Sequence, residues 1–166
     1  MTRTYIFRDI LGVFLAAMLA WVLWAHDSAL HAAPSVWRDQ ASGFAIGGYD
    51  PVAYHTDSKP ALGSEGVEHR WGGAVWQFMS VGNRDVFAMH PEFYAPRFAG
   101  YDPVALSKGL TVRGHPSVWA MYKTRVYLFR NVESLRAWRR DREKTITMAQ
   151  ANWPRLGGNL PGTSEW

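Results

Sequence analysis

A chain of 166 residues, 48% hydrophobic and 14% aromatic, can fill one real core and leaves little room for a second domain. It has no cysteine, which excludes disulfides, Cys-ligated zinc or iron–sulfur centres, c-type haem attachment and any thiol nucleophile. The formal net charge of +4 survives removal of Met1–Ala33, whose two Arg and two Asp cancel. That surplus suits an anionic lipid or an acidic partner and argues for no nucleic acid.

The first element is Ile10–Ala25, sixteen residues without a charge, preceded by Arg3, Arg8 and Asp9. An apolar run with leading cations predicts a helix that exports the rest of the chain, so residues 1–33 read as a signal peptide or a signal anchor. Trp21 and Trp24 suit an anchor at the outer interface, whereas Leu30-His31-Ala32-Ala33 offers a small-residue cleavage site, and both forms stay open. The expected location is the periplasm, free or membrane-anchored. Residues 34–45 then read as a polar linker.

Asp50-Pro51 starts a short helix to about His55, with aspartate as cap and proline at the first helical position. Val67–Trp71 and Ala74–Phe78 flank Gly72-Gly73, which predicts a hairpin. Ser80 caps a helix to about Met89, and Pro91 opens a further turn carrying Phe93 and Tyr94. Asp102-Pro103 repeats the earlier start signal, ending at Gly109. Val118–Tyr122 and Arg125–Phe129 form a second hairpin around Lys123-Thr124. Asn131 caps a helix with Val132, Leu135 and Trp138 every third residue, a last helix covers Thr145–Asn152, and residues 157–166 read as a disordered tail. The fold class is α+β: a small antiparallel sheet from two hairpins with short packed helices, preceded by the N-terminal apolar helix.

One internal echo stands out. Gly48-Tyr49-Asp50-Pro51-Val52-Ala53 recurs unchanged as Gly100-Tyr101-Asp102-Pro103-Val104-Ala105. Two identical turn-and-cap solutions explain it without a duplicated ligand site.

Taken together, GGYDPVAY at Gly47–Tyr54, the run from Trp71 to Gly109 and ANWPRL at Ala151–Leu156 resemble the YHS-domain family, in its long exported bacterial form. The resemblance covers residues 46–156. Compact members of that family are associated with thiol-based metal binding. Laid on this chain, their three cysteines fall on Ala53, Met79 and Asn83, and the cysteine of the long form falls on Asp102. The scaffold carries over and the thiolate chemistry cannot.

What remains for a metal is His55, Met79 and Asp102, with His90 as a further ligand. Thioether with imidazole suits copper, and imidazole with carboxylate suits zinc. No H-x-H or H-E-x-x-H spacing accompanies them, Met after Phe78 also reads as a core filler, and His90 also reads as a helix C-terminal residue. Neither Ser80 nor Ser107 sits in a glycine-flanked elbow, and no phosphate-binding glycine loop occurs, so no catalytic residue is expected. The run Arg130–Lys144 carries six basic and three acidic residues, a solvated helix face or one for anionic headgroups. Trp71, Trp76, Tyr101, Trp119 and Trp138 serve as core or line a groove. The reading is a non-catalytic binding module for a small ligand or an envelope protein, with no cofactor expected. A metal-handling protein using Met, His and Asp with zinc or copper is the alternative, and an enzyme is disfavoured.

Overall fold

The computed structural model describes residues 36–156; the expected N-terminal helix and the tail 157–166 lie outside the described residues. No helix among the described residues is long and apolar enough to cross a membrane. The architecture is α+β. Its elements run α1 (Ala53–Thr56), β1 (Glu68–Trp71), β2 (Ala74–Gln77), α2 (Val81–Met89), α3 (Pro91–Tyr94), α4 (Pro103–Ser107), β3 (His115–Tyr122), β4 (Arg125–Phe129), α5 (Val132–Arg140) and α6 (Arg142–Leu156).

The elements fall into two copies of one unit. Each begins with a left-handed turn: φ is 44°, 67° and 77° at Ile46, Gly47 and Gly48, and 54°, 54° and 83° at Phe98, Ala99 and Gly100. Ile46 and Phe98 accept a conformation that side chains rarely adopt, and both are buried in the core. Gly100 is fixed by close approach as well, because a Cβ there would lie 2.8 Å from the Trp37 indole nitrogen. After each turn Asp50 N–H donates to Ala61 O and Asp102 N–H to Val112 O, and Gly63 and Gly114 donate back to Gly48 O and Gly100 O. The two hairpins turn through Gly72-Gly73 and Lys123-Thr124, all four residues at positive φ, as a type I′ turn demands. Ser80 and Asn131 then cap α2 and α5 by accepting from the N–H groups of Asn83 and Ser134.

Packing repeats too. Phe87 of α2 lies 5.1 Å from both Trp76 and Phe78, and Trp138 of α5 lies 5.6 Å from Tyr127 and 5.2 Å from Phe129. These clusters merge into one buried core. Tyr54 crosses between the units, its hydroxyl donating to Pro116 O at 2.9 Å and its ring meeting Trp119 edge-on.

Three expectations change. The hairpins form two separate two-stranded sheets rather than one. Each hairpin spends its apolar face on its own helix, and an edge of β2 is occupied by a parallel bridge from Phe44 to Val75. The last helix is longer than Thr145–Asn152: Asp141 accepts from Lys144 N–H through its side chain and from Thr145 N–H through its carbonyl, so α6 begins at Arg142 and runs through Trp153-Pro154 to Leu156. Residues 36–45 pack as part of the domain instead of linking to it: Val36 and Trp37 are buried, Arg38 bridges Ala45, and Ile46 N–H donates to Trp37 O.

Candidate functional site

The two Asp-Pro aspartates are fully buried. Asp102 Oδ1 accepts from the N–H groups of Val104 and Ala105, while Oδ2 accepts from Arg130 N–H at 2.9 Å and the Ser134 hydroxyl at 2.6 Å. Asp50 mirrors it: Oδ1 accepts from Val52 N–H, and Oδ2 accepts from Met79 N–H at 2.8 Å and the Asn83 amide at 2.7 Å. Each carboxylate therefore ties its helix start to the end of β2 or β4 and to the first turn of α2 or α5. Asp102 caps α4 as expected from sequence, whereas α1 begins only at Ala53 with Val52 at its N-cap position, so Asp50 holds the turn before the helix instead of capping it.

The same geometry locates the positions that correspond to thiols in the resembled family. Met79 and Asn83 meet at Asp50 through a backbone N–H and a side-chain amide. The Met79 side chain itself is 41% exposed, which corrects its reading as a core filler. Asp102 belongs to the other unit's bracket, with its oxygens taken by four donors. His55 lies between Phe93 and Tyr94 at ring distances of 5.1 and 5.2 Å, its Nε2 buried without a hydrogen bond. Burial, and then the Arg125 guanidinium, hold its pKa below the usual histidine value. His90 is exposed at the α2–α3 junction, where its backbone N–H closes α2 on Val86 O and Phe87 O. No hydrogen bond or ring contact joins His55, Met79, Asp102 and His90. Among the described residues no group of three or more His, Cys, Asp or Glu gathers as a metal would require.

A different place has room for a ligand. A cleft of about 330 Å³ is lined by Trp37, Arg38, Asp39, Gln40, Gly43, Tyr101 and Arg113. Its wall is the turn 39–44, closed by Asp39 N–H to Phe44 O and Gly43 N–H to Asp39 O. Asp39 Oδ1 is engaged by Ala41 N–H and by the backbone and hydroxyl of Ser42, and these bonds hold its pKa low. Arg113 lies 5.7 Å from the Trp37 ring and pairs through its backbone with Tyr101. Tyr101 is half-buried against Trp153, and burial raises its phenol pKa against the pull of Arg113. The cleft thus sets two guanidiniums beside two aromatic rings, with one carboxylate, Asp39, held in its own turn through Oδ1 and within the field of Arg113.

Sequence reasoning named Tyr101 as a groove residue and missed Trp37, Arg38 and Arg113. The apolar pairs Val36-Trp37 and Phe44-Ala45 on either side of a polar turn were the available signal. No family model, no curated protein and no solved structure matches the chain.

Proposed function

We propose that this chain is an exported, YHS-type, non-catalytic binding module whose cleft between Trp37, Arg38, Tyr101 and Arg113 takes a small carboxylate- or phosphate-bearing ligand. The carrying observation is Arg113. The equivalent position in the first unit, bridged in the same way to Tyr49, is Leu62. The repeated architecture thus accommodates an aliphatic residue there, and a cation over an indole is an addition to it. The buried carboxylates that acid–base chemistry would use are committed to the brackets, which favours binding over catalysis.

Calorimetric titration of the protein with panels of small carboxylates and phosphates tests the reading. Saturable binding that falls at least tenfold in Arg113→Leu, at unchanged folding, is the expected outcome. A panel that binds nowhere, or equally well to Arg113→Leu, sinks it. Titration with Zn²⁺ and Cu(I) addresses the metal alternative. Binding tighter than about micromolar, lost on His55→Ala or Met79→Leu, would replace the anion reading. A C-terminal reporter active only in the cytoplasm should stay silent if residues 1–33 direct export.

A further inference from the structure

The two units share a fold and differ sharply in charge. Residues 36–97 carry five Lys and Arg against seven Asp and Glu; residues 98–156 carry eleven against four. One of those four, Asp102, is buried. The excess gathers on α5 and its entry, where Arg130, Arg136, Arg139 and Arg140 are all exposed. Arg136, Arg139 and Arg140 stand at i, i+3 and i+4, on one helix face. The opposite face places Leu135 and Trp138 in the core. Among the described residues the ion pairs are Arg84–Asp85 and Lys123–Glu143, so no carboxylate of a described residue lies within 4.0 Å of these four arginines.

The duplication supplies a control that single-copy folds lack. Helix α2 has the same length and the same kind of cap as α5, and an aromatic anchor at the same position, Phe87 for Trp138. At the positions of Arg136, Arg139 and Arg140 it has Asp85, Ala88 and Met89. Arg139 and Arg140 lie in the last turn of α5, where a cation complements the helix dipole, but Arg136 lies outside it, and like charges three and four residues apart weaken a helix slightly. Packing and capping alone do not call for the whole arginine face.

We infer that the arginine face of α5 docks the domain on the phosphate-rich surface of a membrane containing anionic lipid. Charge complementarity favours a broad anionic plane over a single acidic side chain. Chain length favours the membrane: ten residues separate Ala25, the end of the apolar run, from Val36, and they span at most about 36 Å. A domain tethered by that run stays within reach of the headgroups, where each Lys or Arg raises binding about fivefold. This inference takes the anchored form of residues 1–33, one of the two that the sequence leaves open, and is independent of the cleft.

The experiment uses the full chain, whose lack of cysteine permits one introduced label. Val132→Cys and Val81→Cys are equivalent, exposed positions at the starts of α5 and α2. Each labelled protein is reconstituted into vesicles of phosphatidylcholine, alone or mixed with phosphatidylglycerol, bearing a headgroup-linked quencher. The label at 132 should be quenched only with phosphatidylglycerol, and released at 1 M salt, where the Debye length falls to about 3 Å. The label at 81 should stay bright throughout. Replacing Arg136, Arg139 and Arg140 by Gln should lower the docked population about a hundredfold. Circular dichroism checks that the triple variant folds, and the salt titration needs no variant.

Quenching at 132 that ignores lipid charge, or equal quenching at 81, overturns the inference. So does a label at 132 that responds to a soluble acidic polypeptide and not to phosphatidylglycerol. Flotation with phosphatidylcholine vesicles reports the anchor separately: failure to float, with salt-sensitive capture by phosphatidylglycerol vesicles, discards the anchor and keeps the docking face. Failure of both discards both.

Discussion

The two units of this domain solve the same folding problem with different residues, and the differences separate what the fold requires from what it tolerates. Both keep the left-handed turn, the buried aspartate, the I′ hairpin and an aromatic anchor in a capped helix. They part at the hairpin turn, at the helix surface, and in the helix that comes after the anchor helix. In the first unit α3 is one turn that sets Phe93 and Tyr94 against His55 of α1. In the second, α6 is fifteen residues long and reaches α4, where the Asn152 amide donates to Leu106 O. The first junction is aromatic and half-open, and the second is a helix pair.

The largest test of equivalence targets the anchors. Phe87→Ala and Trp138→Ala each remove the centre of an aromatic cluster and should each cost about 3–5 kcal/mol. Because one core joins both clusters, urea unfolding of either variant should remain a single transition seen alike by fluorescence and circular dichroism. Two transitions would mean that the units fold separately.

The aspartates come next. Truncating either leaves buried donors unpaired at about 1–3 kcal/mol for each group, so Asp50→Ala and Asp102→Ala should cost well over the ~1 kcal/mol of a simple cap. Asp→Asn separates bracket from cap. A cap alone accepts Asn at little cost, whereas at Asp102 an amide would set a donor against N–H groups already pointing inward. Denaturant midpoints within error of the unsubstituted protein for Asp102→Asn would reduce that bracket to a cap.

Much of this was legible in the sequence, for physical reasons that differ by element. Gly72-Gly73, Ser80, Asn131 and the Asp-Pro pairs announce themselves because turn and cap chemistry is local. The six-residue echo was visible as well, but its extent was not. Beyond Ala53 and Ala105 the equivalences run Trp76 to Tyr127, Phe87 to Trp138 and Asn83 to Ser134, which share role and position without identity. The cleft was hidden for another reason: Trp37 and Arg113 are far apart in sequence and meet only because the 39–44 turn folds onto the second unit. Of the candidate metal residues, Met79 is bonded through its backbone to the Asp50 bracket, while Asp102 centres the other one.

A smaller effect should appear at the hairpin turns. Lys123 and Thr124 occupy positive φ at 48° and 60°, positions that Gly72 and Gly73 fill without strain in the first unit. Thr124→Gly should stabilise by about 1 kcal/mol, the relief of a left-handed β-branched residue exceeding the entropy of added glycine. Gly73→Thr should destabilise by a similar amount, since a Cβ there meets nothing within 4 Å and only the backbone is strained. Thermal melts of the two variants read the sign directly, and matching signs would break the correspondence of the turns.

The last distinction concerns pH and belongs to the first unit alone. His55 of α1 stands where α4 has Ser107, whose hydroxyl is satisfied on Val104 O. Burial and then Arg125 keep the His55 pKa below the value of about 6.5 that the unfolded chain presents. The groups facing it are Phe93 and Tyr94 of α3 and Arg125 of β4, which itself donates to the Glu92 carbonyl. Between the folded and unfolded pKa values the unfolded chain binds more protons, so stability rises with pH across that interval. Acidification should therefore weaken the fold from about pH 6.5 downward until His55 titrates in the native state as well. Comparison with His55→Gln isolates the contribution of this one side chain. The variant's urea midpoint should change less between pH 7.5 and 5.5 than that of the unsubstituted protein. If both fall equally, the α1–α3 junction contributes nothing to the acid sensitivity of the domain.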